Sequence, residues 1–175
     1  MKVKKTSIPA DSLTHRCRPC HYSDAYVCEF QSENPVGADD ILVAFRTDMP
    51  GWIKALFRLR NILVRPFGLR GSNKQESTGR ESVESTLRDG GSYHGVKVSD
   101  KSPAETVLQL DDKHLRAYIS VYVESSDGHR YSAFVITLVQ FKYWLGYAYF
   151  YTIYPFHHLI VKAMFGYVIK KRILS

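Results

Sequence analysis

Residues 143–169 read YWLGYAYFYTIYPFHHLIVKAMFGYVI and contain one charged side chain, Lys162. A run this apolar has three destinations: the hydrocarbon of a bilayer, the membrane interface, or the interior of the chain's own fold. It is long enough to span a bilayer, and Lys170, Lys171 and Arg172 would serve as positive flanks. Three features oppose a span. Pro155 interrupts the run. His157, His158 and Lys162 would sit deep in lipid, where ionisable groups are costly. The many tyrosines suit an interface better than a hydrocarbon centre. The reading that remains is a helix, apolar nearly all round, gripped by the rest of the protein. Phe156, Ile160, Ala163 and Tyr167 form one stripe, and Met164 and Val168 broaden it.

The segments before it supply the grip. Residues 130–141, RYSAFVITLVQF, alternate with Phe134, Ile136 and Leu138 on one face and Ala133, Val135 and Val139 on the other. Both faces are apolar, as in a central strand or one whose outer face meets something else. Residues 114–123, HLRAYISVYV, form the preceding strand, and Ser126-Asp127-Gly128 makes the hairpin turn between the two. Residues 104–110, 93–98 and 22–30 carry further strand patterns. A short helix is expected from Asp39 or Asp40 through Phe45. A second is expected over 50–66, with Trp52, Leu56, Leu59 and Leu63 as its core-facing stripe and Lys54, Arg58, Asn61 and Arg65 opposite. Residues 71–92 have the composition of a surface segment and hold no G-x-x-x-x-G-K-[ST] phosphate loop. This order predicts an α+β fold of helix-grip type, a curved antiparallel sheet wrapped around a long C-terminal helix. It would occupy residues 22–175 as a single domain behind an irregular lead-in, residues 1–21.

Size and charge narrow the function classes. A chain of 175 residues holds one sizeable core. The net charge of +7 suits an anionic partner, yet no basic block interleaved with exposed aromatics marks a nucleic-acid footprint. Nucleic acid is therefore not expected. MKVKKTSIPADSL lacks an apolar run of signal-peptide length, so a cytoplasmic location is expected, with membrane association as the alternative. Three cysteines argue against a disulfide framework. Cys17-Arg18-Pro19-Cys20-His21 has the C-x-x-C-H spacing, but there is no second pair to complete a zinc site and no export signal to accompany haem attachment. Pro19 and the strand-like segment that follows fit a loop, so neither metal nor cofactor is expected.

Three stretches, FRLRNILVRPFGL at 57–69, DDKHL at 111–115 and WLGYAYFYTIYPFHHLIVKAM at 144–164, resemble an uncharacterised family catalogued as a domain of unknown function. That family is placed in the superfamily of the START lipid-transfer domains and the birch-pollen allergen, and it also occurs fused behind short-chain-dehydrogenase-like domains. The likeness covers roughly residues 22–170, and its most specific piece is Pro155-Phe156-His157 before an apolar helix, preceded by Leu145-Gly146. The chain departs from the family at Lys142-Tyr143, where His-Asn is common, at Tyr147, where Arg is common, and at Arg116, where Asp is common. The resemblance implies a cavity between the sheet and the last helix.

Such a pocket is mostly apolar with a few polar anchors. Tyr118, Tyr122, Phe134 and Ile136 are the expected liners from the sheet, and Tyr149, Phe156 and Ile160 from the helix. Arg60, His114 and His157 are the polar candidates. The expected ligand is small and apolar or lipid-like. One alternative is a peripheral protein that meets an anionic membrane through the C-terminal aromatic helix and the basic face at 54–65. A second is an enzyme using His114 or His157 as general acid or base on a carbonyl compound. No nucleophile–base–orienter set emerges from spacing, so the catalytic residues are not specified and binding is expected ahead of catalysis.

Overall fold

The computed structural model describes residues 2–47, 50–64, 84–85, 87, 92–93 and 96–173. The elements are β1 (Lys4–Thr6), β2 (Tyr22–Gln31), α1 (Ala38–Thr47), α2 (Gly51–Val64), β3 (Ser92–Tyr93), β4 (Val96–Lys101), β5 (Glu105–Asp111), β6 (Leu115–Ser125), β7 (Arg130–Phe141) and α3 (Trp144–Val168). The strands form one antiparallel sheet in the order β1-β2-β7-β6-β5-β4-β3. The expected α+β architecture, an open antiparallel sheet with a long C-terminal helix, is what the chain adopts. The expectation of an irregular lead-in is corrected. Lys4–Thr6 pairs with Val27, Tyr26 and Ala25 as an edge strand, and Leu13–Cys17 forms a 3-10 turn capped by the Ser12 side chain. The strand expected at 93–98 divides into β3 and β4, and most of the surface segment expected at 71–92 lies outside the described residues.

The β6–β7 hairpin shows why the sheet closes where it does. Gly128 has φ +79°, a conformation that glycine enters without steric cost. Asp127 accepts from the backbone N–H groups of His129 and Arg130 and holds the turn.

Register sorts the side chains into two layers, because directly opposed residues share a face. Asp24 opposes Thr137, Thr137 opposes Ile119, Ile119 opposes Leu108 and Leu108 opposes Val98. This row crosses five strands on the inner face, the one α1 and α3 cover. Tyr26, Cys28, Val121, Val123, Ala133 and Val135 lie on the same side and pack with Ile41, Leu42, Met164, Phe165 and Val168. A second inner cluster joins Leu115, Val139 and Phe141 to Tyr149 and Phe150. The outer face carries Ala25, Val107, Tyr118, Tyr122, Ile136 and Leu138, packed against Ile8, Leu13, Cys17 and Cys20 of the lead-in.

The helix α3 begins earlier than a start at Pro155 would allow and runs 25 residues through that proline. Proline removes a backbone donor and frees the carbonyl four residues before it. Here that residue is Tyr151, and both Pro155 and Tyr151 are exposed, so water can satisfy the freed group. At its N-terminal end the helix presses on the β5–β6 loop. A Cβ on Gly146 would lie 2.5 Å from the His114 carbonyl oxygen, so only glycine fits this approach. The second helix is rotated from expectation. Ile53 is fully buried, whereas Trp52 and Leu59 of the expected core stripe are exposed together with Ile62.

Candidate functional site

Along β2 the inner-face residues are Tyr22, Asp24, Tyr26, Cys28 and Phe30, an apolar stripe with a carboxylate in it. The Asp24 side chain is wholly buried. Facing it, the middle of α3 supplies His157 and His158. His157 Nε2 donates to Asp24 Oδ2 at 3.1 Å, and the Tyr22 hydroxyl donates to the same oxygen at 2.6 Å. His158 Nδ1 lies 3.7 Å from Oδ2 and is hydrogen-bonded to the Tyr26 hydroxyl. Aromatic rings enclose the cluster: Tyr22 lies 4.6 Å from Phe150, and Tyr154 stands edge-on to His158 at 4.3 Å.

The electrostatics follow from this packing. Burial by itself drives the Asp24 carboxyl upward, but hydrogen bonds from His157, Tyr22 and Thr137 outweigh it and hold the group below the usual carboxylate range. Asp24 is thus an anion in a buried place. Thr137 is its cross-strand partner and its hydroxyl helps to stabilise the charge, yet among the described residues no hydrogen bond of normal geometry reaches Oδ1. The Tyr26 phenol is pushed up to about 12, first by burial and then by the Asp24 charge. The Tyr22 phenol is raised further by burial and by its bond to Asp24. Both therefore remain protonated donors. Burial lowers the pKa of His158, helped by His157, Lys5 and Lys162 and opposed by Asp24. His158 is neutral at pH 7, so one of its nitrogens is an acceptor.

This arrangement leaves two nitrogens for something else. With Nε2 bound to Asp24, His157 presents an Nδ1 that bonds to none of the described residues, and with Nδ1 bound to Tyr26, the same holds for His158 Nε2. Both imidazoles are partly exposed, at 19% and 24% of their side-chain surface. Next to them along the same row, Ile119 is 37% exposed and Leu108 is half-buried. One row over, Leu110 is 37% exposed and Ala117 is half-buried. A polar, charged end thus meets an apolar floor.

The expected site residues divide. His157 lies in the cluster. Phe156 and Ile160 are half-buried on α3 beside it, and Tyr149 is buried one turn below Ile153 in the lower inner cluster. Tyr118, Tyr122, Phe134 and Ile136, expected to face the helix, lie on the outer face beneath the lead-in, a correction to their placement. The reason is that β7 has two apolar faces, and alternation alone does not say which one meets α3. His114 lies beside Gly146 at the start of the helix, about 16 Å from His157 by helical rise. Its Nδ1 is buried without a hydrogen-bond partner among the described residues. Arg60 is on α2 with its side chain outside the described residues. Asp24, Tyr22, Tyr26, His158 and Thr137 escaped the sequence reading. The available signal was an acid in the alternating Tyr-x-Asp-x-Tyr pattern of β2, which marks a buried carboxylate in need of partners.

The cysteine motif has a structural explanation. His21 Nδ1 accepts the Phe141 backbone N–H at 2.9 Å and its ring stacks on Phe141 at 5.4 Å. Cys17 and Cys20 are half-buried free thiols. Among the described residues no group of three or more His, Cys, Asp or Glu is placed to hold a metal ion.

The fold and cluster define a class: an α+β protein whose terminal helix closes a buried carboxylate–imidazole–phenol centre against one face of an antiparallel sheet. Within that class, the chain belongs to the family described as "Protein of unknown function (DUF2867)", whose sequence model matches residues 16–164. No curated protein and no solved structure matches the chain.

Proposed function

We propose that the protein is a helix-grip, START-like binding module that takes a small apolar or lipid-like ligand between the inner sheet face and α3. The ligand's polar end meets His157 Nδ1 and His158 Nε2, and its apolar body lies along Ile119, Leu110 and Leu108. The observation that carries this reading is the buried Asp24 carboxylate with its phenol and imidazole partners, set at the edge of half-exposed apolar side chains. A purely structural interface gains little from such a group, since apolar replacement of a buried ionic cluster is often neutral or stabilising. Rules of packing are broken most often where function requires it. Native mass spectrometry of gently purified protein tests the reading. The expected result is an adduct of lipid-like mass, reduced in His157→Ala. Bare mass throughout, together with no uptake of the neutral probe N-phenyl-1-naphthylamine, refutes it.

The Asp24–His157 bond favours a second reading. A carboxylate that orients one imidazole nitrogen leaves the other poised as a base. His157 Nδ1 would take a proton from the carbon next to a bound carbonyl and return it, with the enolate as intermediate. In deuterium oxide this predicts solvent exchange at that carbon, seen by NMR across a panel of ketones and lost in His157→Ala. No exchange above the buffer rate, or equal exchange in the variant, removes it.

A further inference from the structure

The outer surface of α3 is the reverse of a normal solvated helix face. Trp144, Tyr147, Tyr151, Pro155, Leu159 and Lys162 are all exposed. At about 100° per residue they fall within an arc of roughly 120°. The buried residues Gly146, Phe150 and Met164 centre on the opposite side. Trp144 is the most exposed large apolar residue among those described, at 74%. On α2, which packs against α3, Trp52, Leu59 and Ile62 form a second exposed stripe, with exposed Arg58 at its Ile62 edge and exposed Lys54 further round the helix. Exposed apolar patches of this extent mark interaction surfaces.

Charge selects the partner. From Gly51 to Val64 and from Trp144 to Ile173 there is no acidic residue, and every charged residue there is Lys or Arg. Trp and Tyr prefer the headgroup level of a bilayer, where an apolar ring and a polar edge are both accommodated. Basic residues beside such a stripe meet anionic lipid. No helix of the described residues is long and apolar enough to cross a membrane, so the contact is one of lying on the surface. We infer that the outer faces of α2 and α3 dock the protein on an anionic lipid surface. This holds whether or not the inner face takes a ligand, because none of these exposed side chains is among those named for the ligand.

The chain reports on this directly, since its only tryptophans, Trp52 and Trp144, both lie on the proposed surface. The experiment adds full-length protein to phosphatidylcholine vesicles with and without phosphatidylserine at low salt, and follows tryptophan emission and co-sedimentation. The expected result is a blue shift and sedimentation with phosphatidylserine vesicles, weakened at high salt. Binding should fall at least tenfold in Lys54→Glu/Arg58→Glu and in Trp144→Ser/Tyr151→Ser. All four side chains are exposed, so circular dichroism should match the wild type. Soluble short-chain phosphatidylserine below its micelle concentration separates a surface from a headgroup pocket, and a blue shift with monomers equal to that with vesicles overturns the inference. So does the absence of any shift, binding indifferent to the variants, or a dimer that buries the tryptophans without lipid.

Discussion

Replacing Asp24 with alanine removes the acceptor shared by Tyr22 and His157 and leaves two donors beneath α3. Deleting one partner of a buried charged pair costs about 3–5 kcal/mol. The lower end applies, because both donors are partly exposed and water can reach them. At about 2–4 °C per kcal/mol for a chain of this size, the melting temperature should fall by roughly 6–12 °C. The pH dependence gives a sharper signature. The folded carboxyl titrates below its unfolded value of about 3.9, so the unfolded state binds more protons as pH falls. Its stabilisation is complete above that value and is lost as pH drops through the folded pKa. Wild type and Asp24→Asn should therefore melt apart at neutral pH and converge in strong acid. His158 adds a second step. Its folded pKa lies below the unfolded value of about 6.5, so stability also declines as pH falls from about 6.5 toward the folded pKa. Thermal melts followed by circular dichroism across this range test both. The joint variant Tyr22→Phe/Asp24→Leu/His157→Leu should recover most of the lost stability while losing ligand. A neutral effect of Asp24→Ala, within about 0.5 kcal/mol as for an ordinary surface change, contradicts the reasoning.

Three further outcomes follow from other contacts. Gly146→Ala places a Cβ 2.5 Å from the His114 carbonyl oxygen; it should cost about 1–3 kcal/mol by denaturant titration, and unchanged stability means that the helix start does not press on that loop. Glu105 accepts from Ser12 Oγ, Ser120 Oγ and the Leu13 N–H, and so fastens the lead-in to the outer face. Glu105→Ala should cost about 3 kcal/mol and speed hydrogen exchange at Leu13; unaltered protection there means the lead-in is held by apolar packing alone. Burial, reinforced by Asp100 and Glu105, raises the Cys17 thiol, so it should react with iodoacetamide more slowly at pH 7 than a free thiol, and alkylation at the free-thiol rate contradicts this.

Strand positions were legible because 22–30, 114–123 and 130–141 are rich in β-branched and aromatic residues, and each of those elements is present. The side each strand presents was less legible. On β7 both faces are apolar, and Tyr118, Tyr122, Phe134 and Ile136, which suit a pocket by pattern, pack on Leu13 and Cys17. The decisive information is long-range: residues 8–20 fold back over the outer face, and nothing in their own pattern says so. On α2 the apolar residues Trp52 and Leu59 look like a core stripe by periodicity but are exposed. A stripe that meets a partner has the same spacing as one that meets a core. His157 is legible because it follows Pro155 in an apolar run. Asp24 is not, because its role depends on a helix over a hundred residues away. Pro155 lies within α3 because its exposed side lets water satisfy the freed carbonyl.

The central claim is that a ligand enters between α3 and the inner sheet face, its polar end at Asp24, His157 and His158. Side-chain NMR on protein labelled at His, Ile and Leu, titrated with N-phenyl-1-naphthylamine, addresses it most directly. The account predicts saturable shifts at His157, His158, Ile119 and Leu110, diminished in Asp24→Asn. Shifts confined to the outer-face residues Ile136 and Leu138, or none at any position, contradict it.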